Sequence, residues 1–289
     1  MTNTTPIRLL IAGCGDLGLR VARLVSQQYP ESQIWGLRRS QAESPDFLRG
    51  FAWFNADLAQ PETLKTLPPG ITHILFSAAP NARTEADYRA VYLQGLQNVV
   101  RCADNSALER ILFISSSAVY GEHGEEWVDE NTPVSPKNFN GRVLLEAEQW
   151  LSSFKQSRVI ATASLRLSGI YGPGRSYLLD RLKLGQASAP STPVHWVNRI
   201  HIDDAASAIE HLMFLDKDKL SQIFLITDST PLPMRALYEY LAKLVGGPIP
   251  ADGAAPSFVG SKRLSNARLL ATDFKLKWPD SREGHASLL

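Results

Sequence analysis

The residues of this chain whose spacing could support chemistry begin at Gly13-Cys14-Gly15-Asp16-Leu17-Gly18. Glycines so placed, between an apolar strand and a helix, suit a dinucleotide. Gly13 permits the tight turn, Gly15 lets the main chain approach a pyrophosphate, and Gly18 lets the helix pack closely on the strand. The open N–H groups of the first helical turn, with Asp16 and Leu17, then face the phosphates. The second group is Leu37-Arg38-Arg39-Ser40. An acidic residue at about this point, about 20 residues beyond the turn, would bind the 2′-hydroxyl of NAD, and none is present. Two guanidiniums and a hydroxyl suit a 2′-phosphate, because arginine grips phosphate in a bidentate fork. NADP is therefore expected ahead of NAD; a solvated basic turn is the alternative.

Further candidates lie along the chain. Asp57, followed by Leu58, either holds the adenine amino group or caps the next helix. Ser77-Ala78-Ala79 place small residues at a strand end, where a cofactor can approach closely. Ser115-Ser116-Ser117-Ala118-Val119-Tyr120-Gly121 bring hydroxyls and a phenol to another strand end. A phenol with a pKa of about 10 needs a cationic neighbour to act at neutral pH. Arg142, Arg166 and Arg175 are the cations available to Tyr120 or Tyr171, and packing is the simpler role for both phenols. His201 with Asp203 and Asp204 reads as a His–carboxylate pair or, more simply, as a helix start capped by Asp203. His73 is expected to be structural. Cys14 sits near a helix N-terminus that would lower its pKa, or it is a small residue filling a tight turn. The six histidines are scattered without metal-ligand spacing.

These residues need a scaffold that delivers strand ends to one edge. The hydrophobic pattern predicts strands at 7–13, 33–37, 51–55, 72–76, 110–114, 158–166 and 222–227. Helices are expected at 16–29, 85–104, from about 140, and at 176–185, 204–215 and 233–245. Such alternation specifies an α/β fold, a doubly wound parallel sheet of Rossmann type with helices on both faces. Function then collects at the carboxyl ends of the strands. Residues 122–136 and 168–175 read as loops, the latter dense in turn residues. A dinucleotide-binding domain is expected over 1–166, interleaved with a smaller substrate-facing region over 167–289.

Composition narrows the classes further. The chain has 289 residues, 44% hydrophobic and 20% charged, with a net charge of +1. That is ordinary for a soluble globular protein, and no overall field recruits nucleic acid or an anionic membrane. The amino end is short and polar, so neither a signal peptide nor a spanning segment is expected. Two cysteines, Cys14 and Cys102, suit a reducing cytoplasm. The expected partner is a small-molecule substrate, and the expected state a monomer or homodimer.

In order along nearly the whole chain, Gly13 to Gly18, Asp57-Leu58, Ser115 to Gly121, Arg166 to Arg175 and Ile200-His201-Ile202-Asp203-Asp204 resemble the extended short-chain dehydrogenase/reductase superfamily, the nucleotide-sugar epimerase and dehydratase type. Ser-Ser-Ser-Ala-Val-Tyr-Gly and Gly-Ile-Tyr-Gly-Pro-Gly are the specific strings. The ending Ser265-Asn266-Ala267-Arg268-Leu269-Leu270, then Trp278-Pro279-Asp280, looks like an atypical branch. The resemblance implies NAD(P)-dependent oxidoreductase or epimerase chemistry. It implies cofactor contacts from the glycine turn, the ends of the strands at Arg38, Asp57 and Ser77, and Ser115 and Tyr171. It makes Ser116 the hydroxyl that holds a substrate oxygen.

Two departures qualify it. The family places glycines at positions matching 12, 15 and 18, whereas Ala12 stands first here and Gly13 supplies the turn. The family's catalytic Tyr-x-x-x-Lys pair aligns with Asn140 and Leu144. Asparagine does not titrate and leucine carries neither charge nor donor. Asn140 and Tyr120 therefore stand with Ser116 as the catalytic candidates. A dinucleotide-binding or redox-sensing module without turnover is the rival reading.

Overall fold

The computed structural model describes residues 6–40, 49–154 and 160–289. Residues 1–5, and the first two residues of the strand expected at 158–166, lie outside the described residues.

Seven strands form the main sheet: β1 (Arg8–Ala12), β2 (Gln33–Arg38), β3 (Phe51–Asn55), β4 (His73–Phe76), β5 (Arg110–Ser116), β6 (Ala161–Leu167) and β7 (Ile223–Ile226). Their order is β7-β6-β5-β4-β1-β2-β3. The pairs β1–β2, β1–β4, β2–β3 and β4–β5 are parallel. Consecutive strands thus run outward from β1 to β3, and the chain then returns to lay β4 on the other side of β1. The doubly wound sheet expected from the sequence is present. Its centre is dry: Leu9 to Ala12 of β1, Ile74 to Phe76 of β4 and Ile111 to Phe113 of β5 have no exposed surface. Near-continuous apolar runs of this kind are what a strand covered on both faces requires.

The chain packs as two compact units. One comprises residues 1–115, 143–165 and 209–222; the other comprises 116–142, 166–208 and 223–289. The chain passes back and forth between the two, so each unit is built from three stretches of sequence. In the first unit, α1 (Asp16–Gln28) buries Gly18, Val21, Ala22 and Val25 along one face. The helix expected at 85–104 is a run of three segments: an α-turn at Glu85–Tyr88, a π-helical stretch at Arg89–Gly95 and a further α-segment at Leu96–Cys102. Thr84 starts it by accepting from the Asp87 amide. Within this unit the guanidinium of Arg89 grips both carboxylate oxygens of Glu146, at 2.8 and 2.9 Å.

The second unit has its own core, in which Leu179, Leu182, Val197, Met234, Leu237 and Leu241 are buried together. Its local pairings depart from the sequence reading. Gly169–Tyr171, inside the expected 168–175 loop, is a strand paired in parallel with Arg199–His201. Trp127–Val128, inside the expected 122–136 loop, pairs in parallel with Arg263–Leu264. Strands of two or three residues carry too few side chains for a period of two to be legible. Helix α2 (Phe139–Ser153) begins at the expected place, and α3 spans Ile202–Phe214.

Candidate functional site

The first unit holds the glycine turn, at the point where the strand order reverses. In open α/β sheets that reversal is where a crevice forms beyond the carboxyl ends of the strands. Gly13 has φ +83°, and the Gly13 and Cys14 amides both donate to Leu37 O at 3.1 Å. Gly18 lies under β1: a β-carbon there would come 2.9 Å from Ile11 Cγ2. Around Gly15, by contrast, a β-carbon would meet nothing within 4 Å among the described residues. Gly15 is also the residue ahead of α1, and no side chain caps the helix there. The first-turn amides, from Asp16 onward, have no intrahelical acceptor by helix geometry. The three glycines thus have three different surroundings: a forced turn, an open main chain and a close helix–strand contact. Asp16 pairs with Arg20 at 2.9 Å, and Leu17 is half-buried.

The neighbouring candidates sit at adjacent strand ends of the same unit. Ser77 donates its hydroxyl to Gly13 O at 3.1 Å, Ala78 is buried and Ala79 is exposed. Arg38 lays its guanidinium 5.0 Å over the Trp53 ring and donates to Ser40 Oγ at 3.1 Å; Arg39 is exposed. Asp57 Oδ1 accepts from the Ala59 amide at 2.9 Å, closing a local turn, while Leu58 is buried. The short helix that follows, Pro61–Leu64, has Gln60 at its N-cap position, so the helix-cap role considered for Asp57 is not taken up. Ser115 is buried with its hydroxyl donating to Glu148 Oε1 at 2.5 Å. Burial pushes the Cys14 thiol up to about 12, which fits a small residue filling the turn and not the lowering that a helix N-terminus alone would give. Desolvation outweighs the helix end because the sulfur lies beneath Gly18. His73 is buried: Thr72 Oγ1 lies 2.8 Å from its Nδ1, and burial holds its pKa down to about 4.

The second unit holds the hydroxyl and phenol candidates. Ser116 Oγ accepts from the Ala118 amide at 3.2 Å, which starts the 3₁₀ turn Ser117–Tyr120. Accepting leaves the Ser116 hydroxyl proton to be donated elsewhere. Tyr120 is fully buried beneath Arg166, whose guanidinium is 4.7 Å above the ring. Arg142 spends a donor on Lys137 O at 2.7 Å. Asn140 donates from Nδ2 to Phe258 O at 3.4 Å, and its Oδ1 is buried without a hydrogen-bond donor among the described residues. The start of α2 is pressed on the turn after β5: a β-carbon on Gly141 would come 2.6 Å from Ala118 O. Ser116, Tyr120 and Asn140 therefore belong to one arrangement within one unit.

Tyr171 is packed elsewhere in the second unit. Its ring stacks on His285 at 4.0 Å and meets His201 edge-on at 5.2 Å. Burial, with the carboxylates of Asp228, Asp204 and Asp280, drives its phenol well above the ordinary tyrosine value. A phenol so raised is not a poised acid. The helix start at α3 is also arranged differently from expectation. His201, not Asp203, precedes the helix, and His201 Nδ1 accepts the Asp203 amide at 3.2 Å. Asp203 Oδ2 lies 3.7 Å from the same nitrogen, and Asp204 accepts the amides of Lys277 and Trp278 at 2.9 Å each.

Two groups escape sequence reading. Asp228 is buried and pushed up to about 8, chiefly by desolvation, with Asp280 adding to it. Lys262 is fully buried and pulled down to about 8 by the same cause. Neither lies in a motif, and periodicity does not reveal a single buried charge among polar neighbours. Among the described residues, no three or more His, Cys, Asp or Glu side chains gather as a metal site, and no helix is long and apolar enough to cross a membrane.

The strand order, with the glycine turn at its reversal, defines a doubly wound fold of Rossmann type. The chain belongs to the NAD dependent epimerase/dehydratase family, whose model matches residues 9–226; this bears out the resemblance to the extended short-chain dehydrogenase/reductases. Protein YeeZ of Escherichia coli strain K12 is 32% identical over 194 residues, a match that spans 65% of this chain and 66% of that protein. A structure from Methylobacillus flagellatus, assigned as an NAD-dependent epimerase/dehydratase, is 34% identical with a TM-score of 0.80 over 98% of each chain. The UDP-glucose 4-epimerase of Thermus thermophilus, solved in complex with NAD, is 21% identical with a TM-score of 0.79, covering 98% of this chain and 97% of that one. At that identity the likeness is one of fold.

Proposed function

We propose that the chain is an NAD(P)-dependent oxidoreductase or epimerase-like enzyme acting on a small or nucleotide-sugar-like substrate. The observation that carries this reading is the open main chain at Gly15 beside uncapped first-turn amides, which is the shape and polarity a diphosphate needs. Gly13, Gly15, Asp16, Leu17 and Gly18 would hold the dinucleotide, with Ser77, Ala78 and Ala79 bordering it. Arg38 and Arg39, without an acidic residue beside them, favour NADP over NAD. When bound, the dinucleotide supplies hydride exchange. In this chain Ser116 donates its hydroxyl proton to a substrate oxygen and so polarises it, and Asn140 offers a carbonyl acceptor at the position of the family's Tyr. Free thiols at Cys14 and Cys102 are compatible with a reducing cytoplasm.

A second reading is favoured by one observation: Asn140 and Leu144 provide no titrating group where the family has its pair. A module that binds NADP(H) without turnover fits that loss. Calorimetry with NADPH and NADH, followed by a screen for NADPH oxidation against carbonyl compounds and nucleotide sugars, separates the two. Binding with turnover supports the enzyme, binding without turnover supports the module, and no binding of either dinucleotide refutes both.

A further inference from the structure

Lys262 is a fully buried lysine in the second unit. Its ammonium donates to Gly260 O at 2.7 Å. Among the described residues that is its one hydrogen bond, and no carboxylate comes within ion-pair distance. An ammonium has three donors, so two are left unanswered in a place closed to water. A buried charge without a partner is costly. The charged and titratable groups facing it are Glu122 and His195. Glu122 is already engaged, accepting the Ser261 amide at 2.8 Å and the Gly124 amide at 3.0 Å.

The carbonyl that Lys262 holds belongs to a segment laid over the candidate site. A β-carbon on Gly260 would collide with Gly121 O, so the segment touches the turn after β5 main chain to main chain. Ser261 is stitched beside it, with its hydroxyl donating to Gly124 O and its carbonyl accepting the His123 amide. Upstream, Asn138 donates to Ser257 O at 2.9 Å and Asn140 to Phe258 O. Between these ties, Phe258 and Val259 keep 41% and 40% of their surface exposed. Two apolar side chains held outward on a fixed main chain, against the residue in the family's catalytic position, are placed to meet a ligand.

We propose that Lys262 is a positioning residue: through Gly260 O it seats Ser257–Ser261 as the substrate-side wall of the Ser116–Tyr120–Asn140 arrangement, with Phe258 and Val259 facing the apolar side of the substrate. The proposal rests on the function given above. It explains why a costly unpaired ammonium stands where an uncharged methionine, one atom shorter, would pack.

The test uses the full chain carrying Lys262→Met. A merely structural lysine would lower the melting temperature when removed. The proposal expects the variant to melt higher than wild type at pH 7, with the gap closing between about pH 8 and 10.5. The sign follows from a folded pKa below the unfolded one: the ammonium's penalty is fully present below about 8, fades as pH rises from there, and is gone above the unfolded value of 10.5. Despite that gain, the amides of 257–261 should exchange with deuterium at least tenfold faster. With UDP-glucose as probe, Lys262→Met and Phe258→Ala should each weaken binding at least tenfold while NADPH affinity stays within twofold. Unchanged exchange at 257–261 overturns the proposal, as does an equal loss of NADPH affinity. If wild type does not bind UDP-glucose, the substrate-wall role falls together with the nucleotide-sugar reading, while the exchange measurement still decides whether Lys262 seats the segment.

Discussion

Gly13 and Ala78 meet main chain to main chain: a β-carbon on Gly13 would collide with the α-carbon and amide nitrogen of Ala78. The turn after β1 is thereby fixed against the strand end after β4. Gly13→Ala must both adopt φ +83° and displace that contact. We expect a loss of about 2–4 kcal/mol in urea unfolding, and a variant as stable as wild type would refute the packing described.

Gly15→Ala separates binding from folding at the same turn. Its backbone, φ −89° and ψ −158°, is open to any residue, and the added methyl meets nothing. Stability should stay within about 0.5 kcal/mol, while calorimetry should show NADPH binding weakened at least tenfold. Full affinity in this variant would place the diphosphate elsewhere.

Arg38→Ala tests the preference between the two dinucleotides. If Arg38 meets the 2′-phosphate, the variant should lose NADPH affinity by about 1.5–3 kcal/mol and NADH affinity far less. Equal losses would assign Arg38 to its stacking on Trp53.

Asp228 makes stability depend on pH. Its folded pKa is about 8 against an ordinary 3.8, so the folded state holds a proton that the unfolded chain has released. The stability of wild type relative to Asp228→Asn should therefore fall as pH rises from about 4 to 8. Parallel curves for the two proteins across that window would show that the carboxyl is ionised in the fold.

Thiol labelling offers an independent check on burial. With its pKa pushed up to about 12, Cys14 should resist iodoacetamide at pH 8 in the folded protein, while half-buried Cys102 reacts. Unfolding in urea should release the second thiol. Two rapidly reacting thiols in the native protein would contradict the position of Cys14 beneath Gly18.

The sheet was legible because its signals are local. An apolar run, a glycine turn and an amphipathic helix each occupy 15 residues or fewer, and each ends within about a residue or two of its expected place. The three glycines of the turn could be given separate roles from spacing alone. What escaped is set by contacts distant along the chain. Trp127–Val128 is a strand only because Arg263–Leu264 lies beside it. Lys262 is buried beside residues distant along the chain, with Asn198 Nδ2 donating to its carbonyl at 3.0 Å, and nothing in Gly260-Ser261-Lys262-Arg263 announces that. The cap at α3 went to His201 because an imidazole nitrogen can accept as a carboxylate does. The polar cluster was legible, but the accepting side chain lies two residues before Asp203.

The π-helical stretch at Arg89–Gly95 has a bearing on how this helix tolerates insertion and deletion. A wide turn of this kind accommodates an extra residue inside an otherwise α-helical run, so the segments on either side are out of phase. Excising one residue there would let the run tighten, rotating everything upstream by about 100°. Arg89 would then swing away from Glu146, and the Tyr88–Tyr92 contact would open. The irregular turn works as a phase shifter, fixing which compass direction the amino-terminal part of the helix faces.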